Sequence, residues 1–227
     1  MVSATEHSQD YPVTIEARDD EPLLGHPGDI LHKPDDGIYR HLFAALVWNG
    51  FLSQPLSWFT PHPLLSVSAL LLQVQATLIV QPVNTPQQKL KGARVHYSIQ
   101  LLSIVLFILA FINIEVNKGS YPHFVSLHGI LGLTTYITIA LQAVVGVIQY
   151  FLPTVLLGSV DAGKRIYKYH RWSGHFLLLL EMATVLAAVQ STNNMMGLQI
   201  NFLGVLVAVA LILVGVGAGI QKRKLGL

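Results

Sequence analysis

The chain has 227 residues, of which 52% are apolar and 11% are charged, and its formal net charge is +2 at pH 7. Because a typical soluble domain has about a quarter of its residues charged, this composition excludes a water-soluble globule and indicates an integral membrane protein. Cysteine is absent, which excludes a disulfide framework and a thiolate metal site. Any metal or cofactor must therefore be held by histidine, carboxylate or backbone groups.

Residues 1–37 form a polar N-terminal stretch with nine acidic and two basic residues. We expect a retained, disordered, acidic cytoplasmic tail, because the stretch lacks a cleavable signal pattern and has few large apolar side chains. Within it, residues 19–24 (DDEPLL) resemble acidic dileucine signals that sort membrane proteins to endosomes and vacuoles. A chance match is the alternative.

Six apolar segments follow, each near the roughly 20 residues that cross a bilayer. They are residues 38–56, 62–81, 95–114, 127–149, 170–191 and 200–221. The first is interrupted by Asn49, Gly50, Gln54 and Pro55, so a protein with five spans is the alternative. We predict an all-α integral membrane protein with one transmembrane domain, residues 38–221, and a short basic cytoplasmic tail, residues 222–227.

The distribution of Lys and Arg favours six spans. Cytoplasmic loops are enriched in these residues, and eleven of the twelve that follow the tail fall before the first, third or fifth segment or at the chain end. Only Lys118 falls elsewhere. Six spans place all eleven on one face, with both termini cytoplasmic, whereas five spans would leave Arg40 and the acidic tail on the other side.

Four histidines lie in the first turn of an apolar segment, where an ionisable side chain is costly and is usually kept for a function. Because alternate helices run in opposite directions, His62 and His128 should lie near the non-cytoplasmic face, and His96 and His170 near the cytoplasmic face. Two pairs, each from two helices at one depth, suit a planar cofactor in a four-helix core. Haem iron with two axial imidazoles fits this pattern. For any one histidine alone, helix packing is the alternative.

Small or amide side chains accompany the four histidines. Gly132 and Gly174 each follow a histidine by four residues, on the same helix face, and leave room for a porphyrin. Gln100 and Gln142 are candidates for hydrogen bonds around a haem, with ordinary interhelical hydrogen bonds as the alternative. No iron-binding role is assigned to the other histidines, which are His7, His26, His32, His41, His123 and His175.

Glu181 is the acidic residue that lies well inside a predicted span. It follows His170 by eleven residues, so it should share the face of His170 about 16 Å further along the helix. Two interpretations stay open. Glu181 is either a neutral acid hydrogen-bonded to a neighbouring helix, or a group whose proton is coupled to haem reduction.

At this point the chain resembles the cytochrome b561 family, six-helix dihaem electron carriers, in its stand-alone form. The resemblance rests on five short stretches whose order and spacing together are specific: residues 38–40 (IYR), 62–65 (HPLL), 94–102 (RVHYSIQLL), 123–129 (HFVSLHG) and 169–174 (YHRWSG). It implies two haem b groups, one held by His62 and His128 and the other by His96 and His170. No separate catalytic residue is implied.

The resemblance also implies the reaction, in which electrons from cytosolic ascorbate reach ferric iron or monodehydroascorbate across the membrane. The basic residues that receive ascorbate in relatives lie before the third- and fifth-helix histidines; here these are Lys89, Lys91, Arg94, Lys164, Arg165 and Lys168. Their alternative role is positive-inside anchoring. The chain departs from the ascorbate users at residues 77–81 (TLIVQ), where those proteins carry an arginine.

We therefore interpret the chain as a transmembrane oxidoreductase. One rival is a flavocytochrome-type reductase, which needs two histidines thirteen or fourteen residues apart on one helix, a spacing that none of the predicted spans shows. The other is a non-redox transporter or structural protein with intramembrane histidines. Membrane lipid and ascorbate are the expected partners, with no nucleic acid and with a homodimer left open. The favoured location is an endomembrane such as the vacuole, endosome or ER, rather than the plasma membrane.

Overall fold

The structure is a computed structural model that describes residues 45, 48, 49, 57–83, 85–191 and 200–220. These residues contain six helices and no strand: α1 (Pro61–Ile79), α2 (Pro86–Lys118), α3 (Leu127–Phe151), α4 (Pro153–Leu157), α5 (Val160–Val189) and α6 (Phe202–Ala218). The predicted all-α fold is confirmed. The predicted tails, 1–37 and 222–227, lie outside the described residues, as does the first segment, 38–56, apart from three positions.

Four of the helices, α1, α2, α3 and α5, are long and apolar enough to cross a membrane, and α6 is a shorter apolar helix of 17 residues. Helices α1 and α3 match the predicted segments 62–81 and 127–149 to within two residues at each end. Helix α4, a single short helix between α3 and α5, has no counterpart among the predicted segments. The apolar pattern therefore located the membrane helices correctly wherever the structure describes them.

The predicted starts of the third and fifth segments are wrong, because α2 begins at Pro86 and α5 at Val160. The basic stretch before His170 is helical rather than a loop. Ser159 caps α5 through the backbone N–H of Ala162, and Thr85 caps α2 in a capping box with Gln88. Lys and Arg are good helix formers. Hydropathy marks where a helix becomes apolar, whereas the caps decide where it begins.

Helices α1 and α2 pack closely against each other, as do α3 and α5, and α6 packs on α5. The contact between α1 and α2 uses small residues that are fully buried: Ala69, Ser103 and Ala110 each have 0% of their surface exposed. Ser103 Oγ also donates a hydrogen bond to the Ala69 carbonyl at 2.8 Å. Small side chains let two helix backbones approach closely in a membrane, so these residues fix the α1–α2 pair.

Long side chains bridge the space between the α1–α2 pair and the α3–α5 pair. Tyr136 of α3 meets Phe107 of α2 with ring centroids 5.9 Å apart, and Tyr97 of α2 meets Tyr150 of α3 at 5.7 Å. Backbone packing is close within each pair, while rings and other long groups span the distance between pairs. The four long helices are thus arranged as two closely packed pairs with long side chains between them.

The outer faces of α2 and α3 expose many large apolar side chains, including Leu101, Ile108, Ile137 and Leu141. Contiguous apolar surface of this kind is unfavourable in water but is compatible with lipid tails. Together with the four apolar helices, it identifies a membrane protein.

We expect Ser103→Leu to lower the thermal unfolding temperature of the detergent-purified protein. A larger side chain at a fully buried position overpacks the α1–α2 contact and costs about 1–3 kcal/mol. The matched control is Ser98→Leu, on the same helix at an exposed position. Equal unfolding temperatures for the two variants would contradict this view of the contact.

Candidate functional site

His62 and His128 face each other at the end of the bundle where α1 and α3 begin, here named the His62 end. Both lie in the first turn of their helices, as the sequence predicts. Their ring centroids are 6.3 Å apart and their planes are inclined by 71°. Two imidazoles on opposite sides of one metal ion, each bound at about 2 Å, have ring centres roughly 6 Å apart. The spacing therefore fits two axial ligands of a single iron.

A cavity of about 280 Å³ adjoins this histidine pair. Its walls are mostly apolar and aromatic, with Phe107 and Tyr136 among them, and Gly132 and Glu181 also line it. A Cβ at Gly132 would come no closer than 4.0 Å to Thr184 Cγ2. A mostly apolar cavity with a few polar groups is typical of cofactor sites.

Backbone carbonyl groups orient three of the four histidines. Nδ1 of His62 lies 3.0 Å from the Ala110 carbonyl, Nδ1 of His128 lies 3.1 Å from that of Thr184, and Nδ1 of His96 lies 2.9 Å from that of Ala76. Because a carbonyl only accepts hydrogen bonds, each Nδ1 must carry the hydrogen. Nε2 is then left as the free ligand atom, the arrangement usual for metal-binding histidines.

The three acceptor carbonyls follow one rule that the sequence analysis missed. Each belongs to the packed partner helix, at the residue fourteen positions after that helix's own histidine. Fourteen residues make nearly four turns, so the histidine and the acceptor lie on the same helix face about 21 Å apart. The repeated fourteen-residue offset is a sequence signal that a search for pairs of helices could have used.

His96 and His170 lie at the opposite end of the core, here named the His96 end. The fourth histidine breaks the carbonyl rule: Nδ1 of His170 is buried without a hydrogen-bond partner among the described residues. Its ring lies against Gly146, where an added Cβ would be 3.2 Å from Cε1 of His170. Gly146 is a residue of this site that the sequence analysis did not single out.

Gln142 joins α3 to α5 beside His170. Its Nε2 donates to the His170 backbone carbonyl at 2.6 Å, and its Oε1 accepts from Ser173 Oγ at 2.7 Å. At Gly174 an added Cβ would lie 3.0 Å from this same amide nitrogen, so Gly174 makes room for Gln142. Gln100, the other amide singled out from the sequence, is half-buried on α2.

Six basic residues were singled out from the sequence. They lie in the first three turns of α2 and α5, before His96 and His170, and all are exposed: Lys89, Lys91, Arg94, Lys164, Arg165 and Lys168. Lys164 forms an ion pair with Asp161 at 2.9 Å. The hydrogen bond from Lys164 and its positive charge hold the pKa of Asp161 below its ordinary value. Lys168 lies over the Tyr169 ring, 5.0 Å from its centroid. These contacts leave the positive charges at the surface.

Two of the other histidines, His123 and His175, lie in the described part of the chain. His123 lies 2.5 Å from Glu115 and contacts the Gly119 carbonyl, and His175 is half-buried; the remaining four lie outside the described residues. In the described part of the chain, no group of three or more His, Asp or Glu residues is placed to hold a bare metal ion. A pair of imidazoles needs further donors in the plane between them, and a porphyrin supplies four. The residues present fit a haem, because two imidazoles from different helices face each other beside a mostly apolar cavity.

The chain was compared with known proteins. The family model for eukaryotic cytochrome b561 matches residues 61–196, which is more than half of the chain and includes all four histidines. The chain is 29% identical over 153 residues to a plasma membrane ascorbate-dependent reductase of Xenopus laevis, covering 66% of this chain and 52% of that protein. It is 26% identical over 154 residues to a lysosomal membrane ascorbate-dependent ferrireductase of Bos taurus, covering 66% and 56%.

A plasma membrane ascorbate-dependent reductase of Mus musculus is 28% identical over 153 residues, covering 66% of this chain and 50% of that protein. The chain thus spans about half the length of these relatives. The family implies binding of haem b, in agreement with the fit of the paired imidazoles. The match over residues 61–196 identifies the chain as a member of the eukaryotic cytochrome b561 family.

Proposed function

We propose that the protein carries single electrons across a membrane through two haem b groups, from ascorbate on the cytoplasmic face to ferric iron or monodehydroascorbate on the other face. The observation that carries the proposal is the His62–His128 pair, with ring centroids 6.3 Å apart and both Nδ1 atoms held by carbonyls. His62 and His128 would hold one haem, and His96 and His170 the other.

The chain's own residues set the conditions for this role. Each bound haem would supply a one-electron carrier. Paired histidines from two helices would hold each haem from both sides, which would leave no position for oxygen. Apolar and aromatic side chains around the His62 end, such as Phe107 and Tyr136, would exclude water from the bound haem.

Two haem sites are favoured because one site would not extend across the membrane. On α1, His62 and the acceptor carbonyl for His96 are fourteen residues apart, which corresponds to about 21 Å along the helix. Two ring systems separated by about this distance extend across most of the roughly 30 Å hydrocarbon core. A single haem at either end would leave the remaining distance without a carrier.

Ascorbate is the proposed donor because the relatives are named ascorbate-dependent reductases and because six exposed basic residues precede His96 and His170. Ascorbate is an anion, and clustered positive charge attracts it. The same residues support a cytoplasmic location for this face, because cytoplasmic loops are enriched in Lys and Arg. We propose six spans with both termini cytoplasmic.

The acceptor is proposed from the relatives, one of which is named a ferrireductase of the lysosomal membrane. An endomembrane location agrees with that relative and with the acidic dileucine-like residues 19–24, while two other relatives are named for the plasma membrane. The visible spectrum of the purified protein, oxidised and reduced, tests the proposal most directly. Two haems per polypeptide are expected, whereas a colourless preparation would indicate a transporter or structural protein.

We expect His62→Ala and His128→Ala to remove the same haem, and His96→Ala and His170→Ala to remove the other. Each variant should keep about half of the haem per polypeptide, because removing either axial ligand opens the same iron site. Reduced-minus-oxidised spectra with a haem assay measure this. His123→Ala is the control and should keep both haems. If the His62 and His96 variants retained the same spectral species, the pairing would be refuted.

Replacing Lys91, Arg94, Lys164 and Lys168 together with Gln should slow reduction by ascorbate about tenfold, because positive charge raises the encounter rate of an anion by this order. In the unmodified protein the rate should fall as salt is added, since exposed charges are screened. Stopped-flow reduction kinetics measure both effects. Lys118→Gln, at the His62 end, is the matched control.

Reduction by dithionite should be unchanged in the fourfold variant, which shows that the haems remain intact. An unaltered ascorbate rate would assign these basic residues to membrane topology rather than to donor binding.

A further inference from the structure

A buried polar pair joins two helices inside the bundle. Gln73 Nε2 of α1 donates a hydrogen bond to Glu181 Oε1 of α5 at 2.6 Å. Gln73 has 7% and Glu181 4% of its surface exposed. The pair links the two helix pairs across the core. It confirms the prediction that Glu181 points into the bundle.

The second carboxyl oxygen of Glu181 has no hydrogen-bond partner among the described residues, although it is buried. Gln73 donates only to Oε1, so Oε2 is the oxygen that can carry a proton. Glu181 also lines the cavity that adjoins His62 and His128. A buried carboxyl with one free oxygen, beside a proposed redox centre, is placed to gain and lose a proton there.

The titratable groups that share this cavity come from each neighbouring helix: His62 from α1, Glu115 and Lys118 from α2, and His128 and Tyr136 from α3. Helix α6, packed on α5, contributes none, since its sequence has no titratable residue. Lys118 and Glu115 belong to the last turn of α2, and Glu115 lies 2.5 Å from His123. The described residues thus supply no cation that pairs with Glu181.

The charge of the neighbouring group controls the ionisation of Glu181. A carboxylate buried without a counter-charge is costly, and a neighbouring positive charge offsets that cost. An oxidised bis-histidine haem has one more positive charge than a reduced one. Glu181 can therefore be ionised beside the oxidised group, but loses that compensation when an electron arrives.

We propose that Glu181, positioned by Gln73, is a redox-linked proton site, which binds one proton when the haem between His62 and His128 is reduced and releases it on oxidation. The electron comes from the one-electron donor and the proton from water, so the local charge is unchanged, and the acceptor removes the electron as the proton leaves. The proposal rests on the haem pairing above. It adds proton exchange to electron transfer at the centre of the bundle.

The test is a redox titration of the purified full chain at several pH values, for the unmodified protein and for Glu181→Gln. In the unmodified protein the midpoint potential of one haem should fall as pH rises, because reduction takes up a proton that is scarcer at high pH. Glu181→Gln, which keeps the size and one oxygen of the side chain, should lose this slope. The other haem should be unaffected.

Glu115→Gln is the matched control, since it removes the other acid of the same cavity and should keep the slope. Infrared difference spectroscopy gives a second readout: the carbonyl band of a protonated acid should grow on reduction and be absent in Glu181→Gln. Identical slopes in the unmodified and Glu181→Gln proteins, with both haems present, would overturn this proposal alone. A protein without haem would overturn the proposed function and this proposal with it.

Discussion

The core depends on histidine Nδ1 atoms that donate to backbone carbonyls of the packed partner helix. In a membrane, an unsatisfied polar group costs several kcal/mol, so each such hydrogen bond holds a ring in one orientation. His62 and His96 make this contact reciprocally between α1 and α2. The α1–α2 pair is thereby fixed in register, and the Nε2 atom of each ring is left free.

In the α3–α5 pair, one histidine makes the same contact with a carbonyl and the other does not. His128 donates to the Thr184 carbonyl, whereas Nδ1 of His170 has no such partner in the described part of the chain. Gln142 occupies the equivalent position and bonds the backbone of His170 instead. The two ends of the core therefore hold their imidazoles by different means, which gives the protein two chemically distinct sites within one repeated arrangement.

The distance between the α1–α2 pair and the α3–α5 pair allows the fold to contain a cavity. Small residues such as Ala69 and Ser103 draw α1 and α2 together, while long side chains such as Tyr136 span the distance to the other pair. A cavity with mostly apolar walls results at the His62 end. The buried Gln73–Glu181 pair brings a carboxyl group to the wall of this cavity, where one charge has a large effect because the surroundings are poorly polarisable.

The sequence by itself determined the membrane class and the helical fold, because long apolar runs are costly in water. It also singled out the four histidines, because an ionisable side chain is costly inside a membrane and is usually kept there for a function. The sequence analysis placed the starts of α2 and α5 too late, because the capping residues Thr85 and Ser159 lie before the apolar runs. Only the tertiary structure decided which carbonyl each histidine meets, that Gly146 lies against His170, and that Gln73 is the partner of Glu181. Those contacts join residues far apart in the chain, and their geometry depends on how closely each pair of helices packs.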